Sequence, residues 1–313
     1  MEVPQGLFGE RGWIAEYYDE RDFCYEPAPG IEADPQANLR DSDKYRAYWG
    51  KIYNQGSALN SCVANAAAAL FTYELNKELA MSKRQTPPAI DPSRSFIWYN
   101  ARKVEKPAKF DNATCHTRSA MKALQKDGVC KETLCPYPQN PDKTDAVEIT
   151  SKEPSEDAKS AAKAYQIAWY GRLDKKRSPK ERHALEELAN RSADEATKEK
   201  NRDGELLKEK LCKAITEGYP VLFGIHYYSK DAYKQFEKRE SGKWLLTRLD
   251  ERHKTPPHKY PSHAVLAIGY DEEGVTCQSS YGEDYLDNGT FLAPWAWITD
   301  FEATEDFWTM RFF

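Results

Sequence analysis

The spacing of the apolar positions changes about two thirds of the way along the chain, from a helical to a strand-like repeat. Between residues 61 and about 80 the apolar residues fall on one helical face, and shorter helices are predicted over 93–102, 117–127 and 206–217. Beyond residue 218 the apolar runs are short and are separated by turn residues, as in YPVLFGIHYY, HAVLAIGY, VTCQSS, GTFLAP and DFWTMRFF. The pattern predicts an α+β fold with a helical N-terminal half and a mainly β C-terminal half.

Two segments lack a strong apolar repeat. Residues 1–50 are rich in Pro, Asp, Glu and aromatic residues, and we interpret them as an extended leader that lies on the domain surface. Residues 174–205 are highly charged and contain Ser178, Pro179 and Glu181, which form the signature of an N-cap, a first-turn proline and a capping-box acid. We interpret this block as a solvated helical insertion and assign it no chemistry.

The composition of the chain limits which binding partners and which cellular compartment we expect. The chain has 313 residues, of which 40% are hydrophobic and 30% charged, so it is long enough to bury a sizeable core. Its net charge of -5 is small and mixed in sign, which indicates neither a nucleic acid nor a membrane partner. A basic start followed by an apolar run is missing from the first residues, so we expect a cytoplasmic protein. The oligomeric state stays open.

Neither the cysteines nor the histidines form a recognisable metal or cofactor site. The seven cysteines show no even spacing, and without an export signal we interpret them as reduced thiols. Cys130 and Cys135 do not have the spacing of a zinc knuckle. His253, His258 and His263 recur at intervals of five, which suits neither one helix face nor one strand face. We therefore predict no cofactor and no metal.

Cys62 is the candidate nucleophile, because it stands where the polar turn NQGSALNS becomes an alanine-rich helix. A helix N-terminus lowers the pKa of a thiol, and Asn60 and Ser61 are suitable N-cap residues. A catalytic thiol also needs an imidazole, and His263 opens the apolar strand SHAVLAIGY. The structural alternatives are a cysteine buried as a small hydrophobe and a strand-end histidine whose nitrogens bond to solvent.

These two segments, NQGSALNSCVANA and SHAVLAIGYDEEG, resemble in their order and separation the papain-like (C1) cysteine peptidases, particularly the microbial branch that lacks a signal peptide. Four further segments match in the same order: RGWIAEYYDERDF, PSRSFIWYNARK, MKALQKDGVCKETLCPY and EGYPVLFGIHYY. The similarity covers most of the chain, with the charged block as an insertion. Six ordered matches are far more specific than any single motif.

The resemblance implies a two-lobe fold, with a peptide or protein substrate bound in the cleft between the lobes. It makes Cys62 the nucleophile, His263 the general base and acid, and Gln55 the side-chain oxyanion donor. Gln55 precedes the cysteine by seven residues where the family pattern has six, and Ser279 stands where the family has its orienting asparagine.

The implied domain organisation is a leader over 1–50 and a papain-like catalytic domain over 51–313. Within that domain the helical lobe covers about 51–140, the insertion about 174–205 and the β lobe about 206–313.

Three functions follow. The first is a cysteine-type endopeptidase or aminopeptidase, which retains both the nucleophile and the base. The second is a degenerate papain-like protein that binds a peptide or partner without cleaving it, because Ser279 replaces the orienting asparagine. The third uses the same thiol and histidine for acyl or amide transfer, as transglutaminase-like enzymes do.

Overall fold

The computed structural model describes residues 12–82, 86–107, 110–141, 146–227, 235–247 and 261–312. The first eleven residues of the leader, together with His253 and His258, lie outside the described residues.

The helices of the described chain are α1 (Cys62–Met81), α2 (Arg94–Glu105), α3 (Thr117–Lys126), α4 (Ala146–Ser151), α5 (Glu156–Ala162), α6 (Pro179–Arg191), α7 (Ala193–Thr216) and α8 (Trp295–Ile298). The first three match the helices that the apolar spacing predicts to within a few residues. Among the described residues, no helix combines the length and the apolar composition needed to cross a membrane.

The strands are β1 (Ala37–Asn38), β2 (Trp169–Arg172), β3 (Val221–His226), β4 (Phe236–Lys238), β5 (Trp244–Leu246), β6 (Ser262–Tyr270), β7 (Gly274–Gln278), β8 (Thr290–Pro294) and β9 (Thr304–Arg311). They form one sheet in the order β2-β9-β3-β6-β7-β8-β5-β4, with β1 paired to β6. Every pair is antiparallel except β5 with β8. The five predicted strands are all present, whereas β1, β2, β4 and β5 are additional.

Helix α1 lies at the centre of the molecule because nearly every side chain along its first four turns is buried. Small alanines over 66–69 let neighbouring elements approach closely, and α1 contacts α2 and α3 on one side and β6 on the other. It therefore joins a helical lobe to a β lobe. The first residue of this central helix is Cys62.

The charged block is helical, as predicted, but its boundaries differ from the prediction. Ser178 caps α6 with a complete capping box that includes Glu181. The predicted helix over 206–217 is the last half of the 24-residue helix α7, which begins inside the charged block. Asp203 in that block is buried and pairs with Arg177, so the block is not wholly a solvated face.

The leader is largely extended, yet it does not simply lie on the surface. Several of its apolar side chains are buried in the two hydrophobic clusters of the protein, namely Trp13, Tyr25, Leu39 and Tyr45. Its strand β1 pairs with β6, through Ala37 with Tyr270 and Asn38 with Gly269. The described part of the leader is thus integrated into the β lobe, because its aromatic residues find cover there.

Candidate active site

Cys62 is completely buried at the start of α1. Ser61 occupies the N-cap position, but its side chain does not cap the helix, contrary to the sequence expectation. The Ser61 hydroxyl instead lies 2.6 Å from the Tyr137 hydroxyl and accepts a hydrogen bond from Asn65 at 3.1 Å. The serine therefore links Tyr137 to the helix that carries the cysteine.

His263 is the second residue of β6, and the structure brings this strand against Cys62. The backbone N–H of Ala264, the next residue, forms a hydrogen bond to the Cys62 thiol. Nε2 of His263 lies 3.1 Å from Oγ of Ser279, so the serine does reach the imidazole. The ring of Tyr281 stacks on the imidazole with a centroid separation of 4.7 Å and an interplanar angle of 10°. Ser279 therefore fixes one edge of the imidazole and Tyr281 packs on one of its faces.

Gln55 is buried beside the same cluster, with both ends of its amide engaged. Its Oε1 accepts a hydrogen bond from the Ser280 hydroxyl at 2.6 Å, and its Nε2 donates to the carbonyl of Leu59 at 3.0 Å. The hydroxyl of Tyr137 donates to the Gln55 carbonyl at 3.0 Å. The six-residue loop between Gln55 and Cys62 is therefore held by a hydrogen bond within the loop and by one from the β lobe.

Gln278, the other side chain near the family's asparagine position, does not join the cluster. Its Oε1 accepts a hydrogen bond from Nε of Arg40 at 2.7 Å. Adjacent strand residues point to opposite faces, which explains why Ser279 faces the imidazole and Gln278 does not.

The leader crosses directly over the thiol. The Cys62 thiol contacts the carbonyl oxygen of Gly12, and Thr114 Oγ1 donates to the same oxygen at 2.6 Å. The Gly12 N–H donates to the Ser262 carbonyl at 3.1 Å. A Cβ on Gly12 would lie 2.4 Å from that carbonyl and 3.3 Å from the Cys62 sulfur, so this close approach requires glycine.

Trp13 fills a pocket beside Cys62 and Ser262 and is 1% exposed. Its indole lies on Gly224 in β3, where a Cβ would come within 1.9 Å of the ring. The ring of His226 lies 5.0 Å away, and burial lowers the pKa of that histidine to about 4. The Trp13 pocket is therefore apolar and uncharged at neutral pH.

Further along, Arg172 ties the leader to the β lobe. Its guanidinium, on a side chain that is 3% exposed, contacts Glu16 and Asp22 of the leader at 3.2 Å each. It also contacts Asp174 at 3.0 Å and Asp306 of β9 at 2.5 Å. One buried cation therefore links four carboxylates from three separate segments.

Burial dominates the electrostatics of the covered cysteine and histidine. It raises the pKa of the Cys62 thiol to about 12, although backbone N–H groups around the sulfur lower that pKa. Burial also lowers the pKa of His263 to about 3. The sequence expectation of a lowered thiol pKa is therefore wrong for the form with the leader in place. At neutral pH both groups are uncharged in that form.

The raised thiol pKa predicts an unusual pH profile for alkylation of Cys62. Since only the thiolate reacts, the rate should rise about tenfold per pH unit and should continue to rise beyond about pH 9. A short blocked peptide with a single cysteine, whose thiol pKa is about 8.5, should level off in the same range. Iodoacetamide kinetics read by peptide mass would show this difference. A Cys62 profile that levels off near pH 8.5 would contradict it.

All seven cysteines are free thiols. Across the described ranges, no group of three or more His, Cys, Asp or Glu side chains is placed to hold a metal ion. The groups that the structure brings together are the thiol, the imidazole, the Ser279 hydroxyl and the Gln55 amide.

Known proteins resemble this chain in sequence and in structure. No family model matches it. An uncharacterized peptidase C1-like protein, L477, of Acanthamoeba polyphaga mimivirus is 27% identical over 260 residues, covering 82% of this chain and 68% of the relative. Xylellain, a cysteine protease from Xylella fastidiosa, has a similar structure, with a TM-score of 0.67, 23% identity and full coverage of both chains.

The chain therefore has the fold of the papain-like (C1) peptidases, and its sequence is similar to that of a peptidase C1-like protein. Two more distant solved structures share the fold. Digestive procathepsin L 3 of Tenebrio molitor has a TM-score of 0.56 at 10% identity, covering 93% of this chain and 74% of its own. The Carica candamarcensis cysteine protease CMS1MS2, solved in complex with E-64, has a TM-score of 0.50 at 12% identity over 89% of this chain and 98% of its own. The α+β, two-lobe papain-like fold predicted from the sequence is thereby confirmed.

Sequence reasoning missed several residues that surround the papain-like cluster. Ser280 orients the Gln55 amide and Tyr281 stacks on the imidazole, although both belong to the segment aligned with the family's asparagine motif. Gly12 and Trp13 carried no signal of their own beyond the leader's resemblance. Their role depends on a contact about 250 residues away in the chain, which local patterns do not report.

Proposed function

We propose that this papain-like protein is a cysteine-type peptidase, a hydrolase that cleaves peptide bonds through an acyl-enzyme. The carrying observation is the juxtaposition of the buried Cys62 thiol with the start of β6, where Ser279 holds the His263 imidazole. In this reaction the thiolate attacks the scissile carbonyl carbon and the leaving amine takes a proton from the imidazolium. Water then hydrolyses the thioester, and the thiol and the neutral imidazole re-form.

Each site residue has a role that its contacts support. Because Nε2 of His263 faces Ser279, Nδ1 is the nitrogen that exchanges the proton with the thiol. Ser279 acts as a positioning residue in place of the family's asparagine. The Gln55 amide has two N–H groups, one of which bonds to Leu59, and the second serves the oxyanion together with the backbone N–H of Cys62.

In this proposal the structure represents a covered, latent form. Gly12 and Trp13 of the leader occupy the place of a substrate, and both reacting groups are uncharged beneath them. A peptide or protein substrate displaces the leader before cleavage. Water then enters the cleft and removes the burial that raises the pKa of the thiol.

The proposal predicts that an epoxide inhibitor of the E-64 type adds once, at Cys62. Intact-mass analysis followed by peptide mapping should locate the adduct. Labelling should disappear in Cys62→Ala and fall by about a hundredfold or more in His263→Ala, which lacks the base. Cys24→Ala, which removes an exposed thiol, is the matched control and should label like the parent chain. In Trp13→Ala, which removes a side chain that covers the cleft, a folded protein in which Cys62 reacts no faster than the other cysteines would contradict the proposal.

The Ser279 hydroxyl at the orienting position supports a second candidate, a degenerate protein that binds peptide without turnover. It predicts peptide binding with no product, and hydrolysis that appears only in Ser279→Asn.

Acyl transfer is separated from hydrolysis by adding an amine acceptor and analysing the products. Internally quenched peptides with free and blocked N-termini distinguish endopeptidase from aminopeptidase cleavage.

A further inference from the structure

Glu16 of the leader sits in a closed pocket that contacts its backbone and both carboxyl oxygens. Its side chain is 1% exposed. Arg172 Nη1 donates to Oε2 at 3.2 Å, Arg118 Nη2 lies 3.4 Å from the same oxygen, and the Arg118 backbone N–H donates to Oε1. The Glu16 N–H itself donates to Asp306 Oδ2 at 2.8 Å. The pocket therefore recognises a glutamate residue as part of a peptide chain.

A strained residue builds one wall of this Glu16 pocket. Asp306 has a φ of 62°, in the left-handed region that non-glycine residues rarely adopt. It lies where the register of β9 against β3 shifts, between the pairs Leu222 with Trp308 and Gly224 with Glu305. Such a bulge redirects a side chain, and here it aims the Asp306 carboxylate at the backbone of a bound segment. Strain of this kind is typical of binding and catalytic sites.

The Glu16 pocket belongs to the same cleft as the thiol. Gly12 contacts Cys62, Trp13 fills the apolar pocket, and Glu16 follows three residues later. Four extended residues span at most about 14 Å, a distance that a short bound peptide covers easily. The leader thus traces a continuous path for a peptide from the nucleophile to the pair of arginines.

The pocket distinguishes glutamate from glutamine. All the groups that contact the two carboxyl oxygens are donors, so an amide N–H₂ in either position would face a donor. Burial and the neighbouring Asp306 raise the pKa of Glu16 to about 8, while the guanidinium groups of Arg172 and Arg118 lower it. The donor set favours the ionised carboxylate, so recognition is strongest where the carboxyl group is ionised.

We propose that the Glu16 pocket is a glutamate subsite of the substrate cleft, used by peptides that carry a glutamate three residues from a bulky apolar residue. The apolar side chain takes the place of Trp13 and the glutamate the place of Glu16. This inference rests on the proposed peptidase function and names the substrate class. Arg118 and Arg172 are its specificity-determining residues.

The test uses the full chain carrying Trp13→Ala and Glu16→Ala, which empty both pockets without touching Cys62 or His263. The substrates are internally quenched peptides that contain one phenylalanine. Each has a Glu three residues before or three residues after the phenylalanine, and its matched partner has Gln at the same position. At about pH 9, above the Glu16 pKa, kcat/KM should be roughly tenfold higher for one Glu peptide than for its Gln partner. Adding Arg118→Met should reduce that preference, whereas Arg191→Met at the exposed end of α6 should leave it unchanged.

The outcomes separate the two proposals. Equal cleavage of Glu and Gln peptides, or a preference unchanged by Arg118→Met, would overturn the subsite while leaving the peptidase intact. If no peptide is cleaved and Cys62 takes up no epoxide, the peptidase function fails. Fluorescence anisotropy with the same peptide pairs then tests whether the Glu16 pocket binds glutamate. Tighter binding of the Glu peptide supports the subsite, and equal binding of the Glu and Gln peptides overturns it.

Discussion

Replacing Trp13 with alanine is expected to raise the rate of Cys62 alkylation at neutral pH by at least about tenfold. Removing a fully buried tryptophan side chain costs about 3 to 5 kcal/mol. Here that cost falls mainly on the state in which the leader covers the thiol, because the indole packs on Gly224 of the β lobe. The population with an open cleft therefore increases. Iodoacetamide kinetics, followed by mass spectrometry of the Cys62 peptide, measure the change.

Tyr17→Ala is the matched control for that experiment. Tyr17 is also an aromatic residue of the leader, but it is 79% exposed, so its removal should leave the alkylation rate nearly unchanged. If Trp13→Ala and Tyr17→Ala react alike, the leader does not limit access to the thiol. A thermal melt of each variant separates local opening from global unfolding, which would expose the other buried cysteines as well.

Arg172→Met is expected to destabilise the whole protein by about 3 to 5 kcal/mol, because it removes one partner from a buried ionic network. Methionine has a similar length but no charge, so Asp174 remains buried without its cation and Asp306 keeps only Lys176, at 3.4 Å. The midpoint of thermal unfolding should fall by roughly 10 °C for a chain of this size. Differential scanning fluorimetry measures it.

Arg21→Met provides the comparison for the Arg172 variant. Arg21 also pairs with an aspartate, Asp19, but its side chain is 80% exposed, and an exposed ion pair contributes little to stability because water screens it. Its melting temperature should stay within roughly 2 °C of the parent. A similar loss in both variants would mean that burial of the network does not matter.

Features set by local patterns were predictable from the sequence. The Ser178 capping box forms as its spacing indicates, because N-cap and N3 side chains interact within one turn. Helix α1 and the strand β6, which begins next to His263, form where the apolar residues of the sequence predict a helix and a strand. The order of the family segments correctly indicated the papain-like fold, since six ordered matches constrain the topology.

Features that depend on distant contacts were not predictable in this way. The Cys62 pKa follows from burial under Gly12, which outweighs the local effect of the helix N-terminus. Strand β2 was not predicted because its sequence lies directly before the charged block. Its last residue, Arg172, is buried because carboxylates from other segments pair with it. The predicted start of α7 was too late. The helix has a charged first half and an amphipathic second half, and only the second half packs on the core and shows an apolar repeat.

The pairing of β1 with β6 determines how the leader would behave as an inhibitor. Ala37 and Asn38 are hydrogen-bonded to the end of the same strand whose start carries His263, so the covering residues 12–16 remain tethered when they lift away. A tethered segment has an effective local concentration on the order of millimolar, which dilution of the protein does not reduce. Substrates therefore compete against a fixed internal concentration of leader. Only a cut between the covering residues and β1 would abolish that competition.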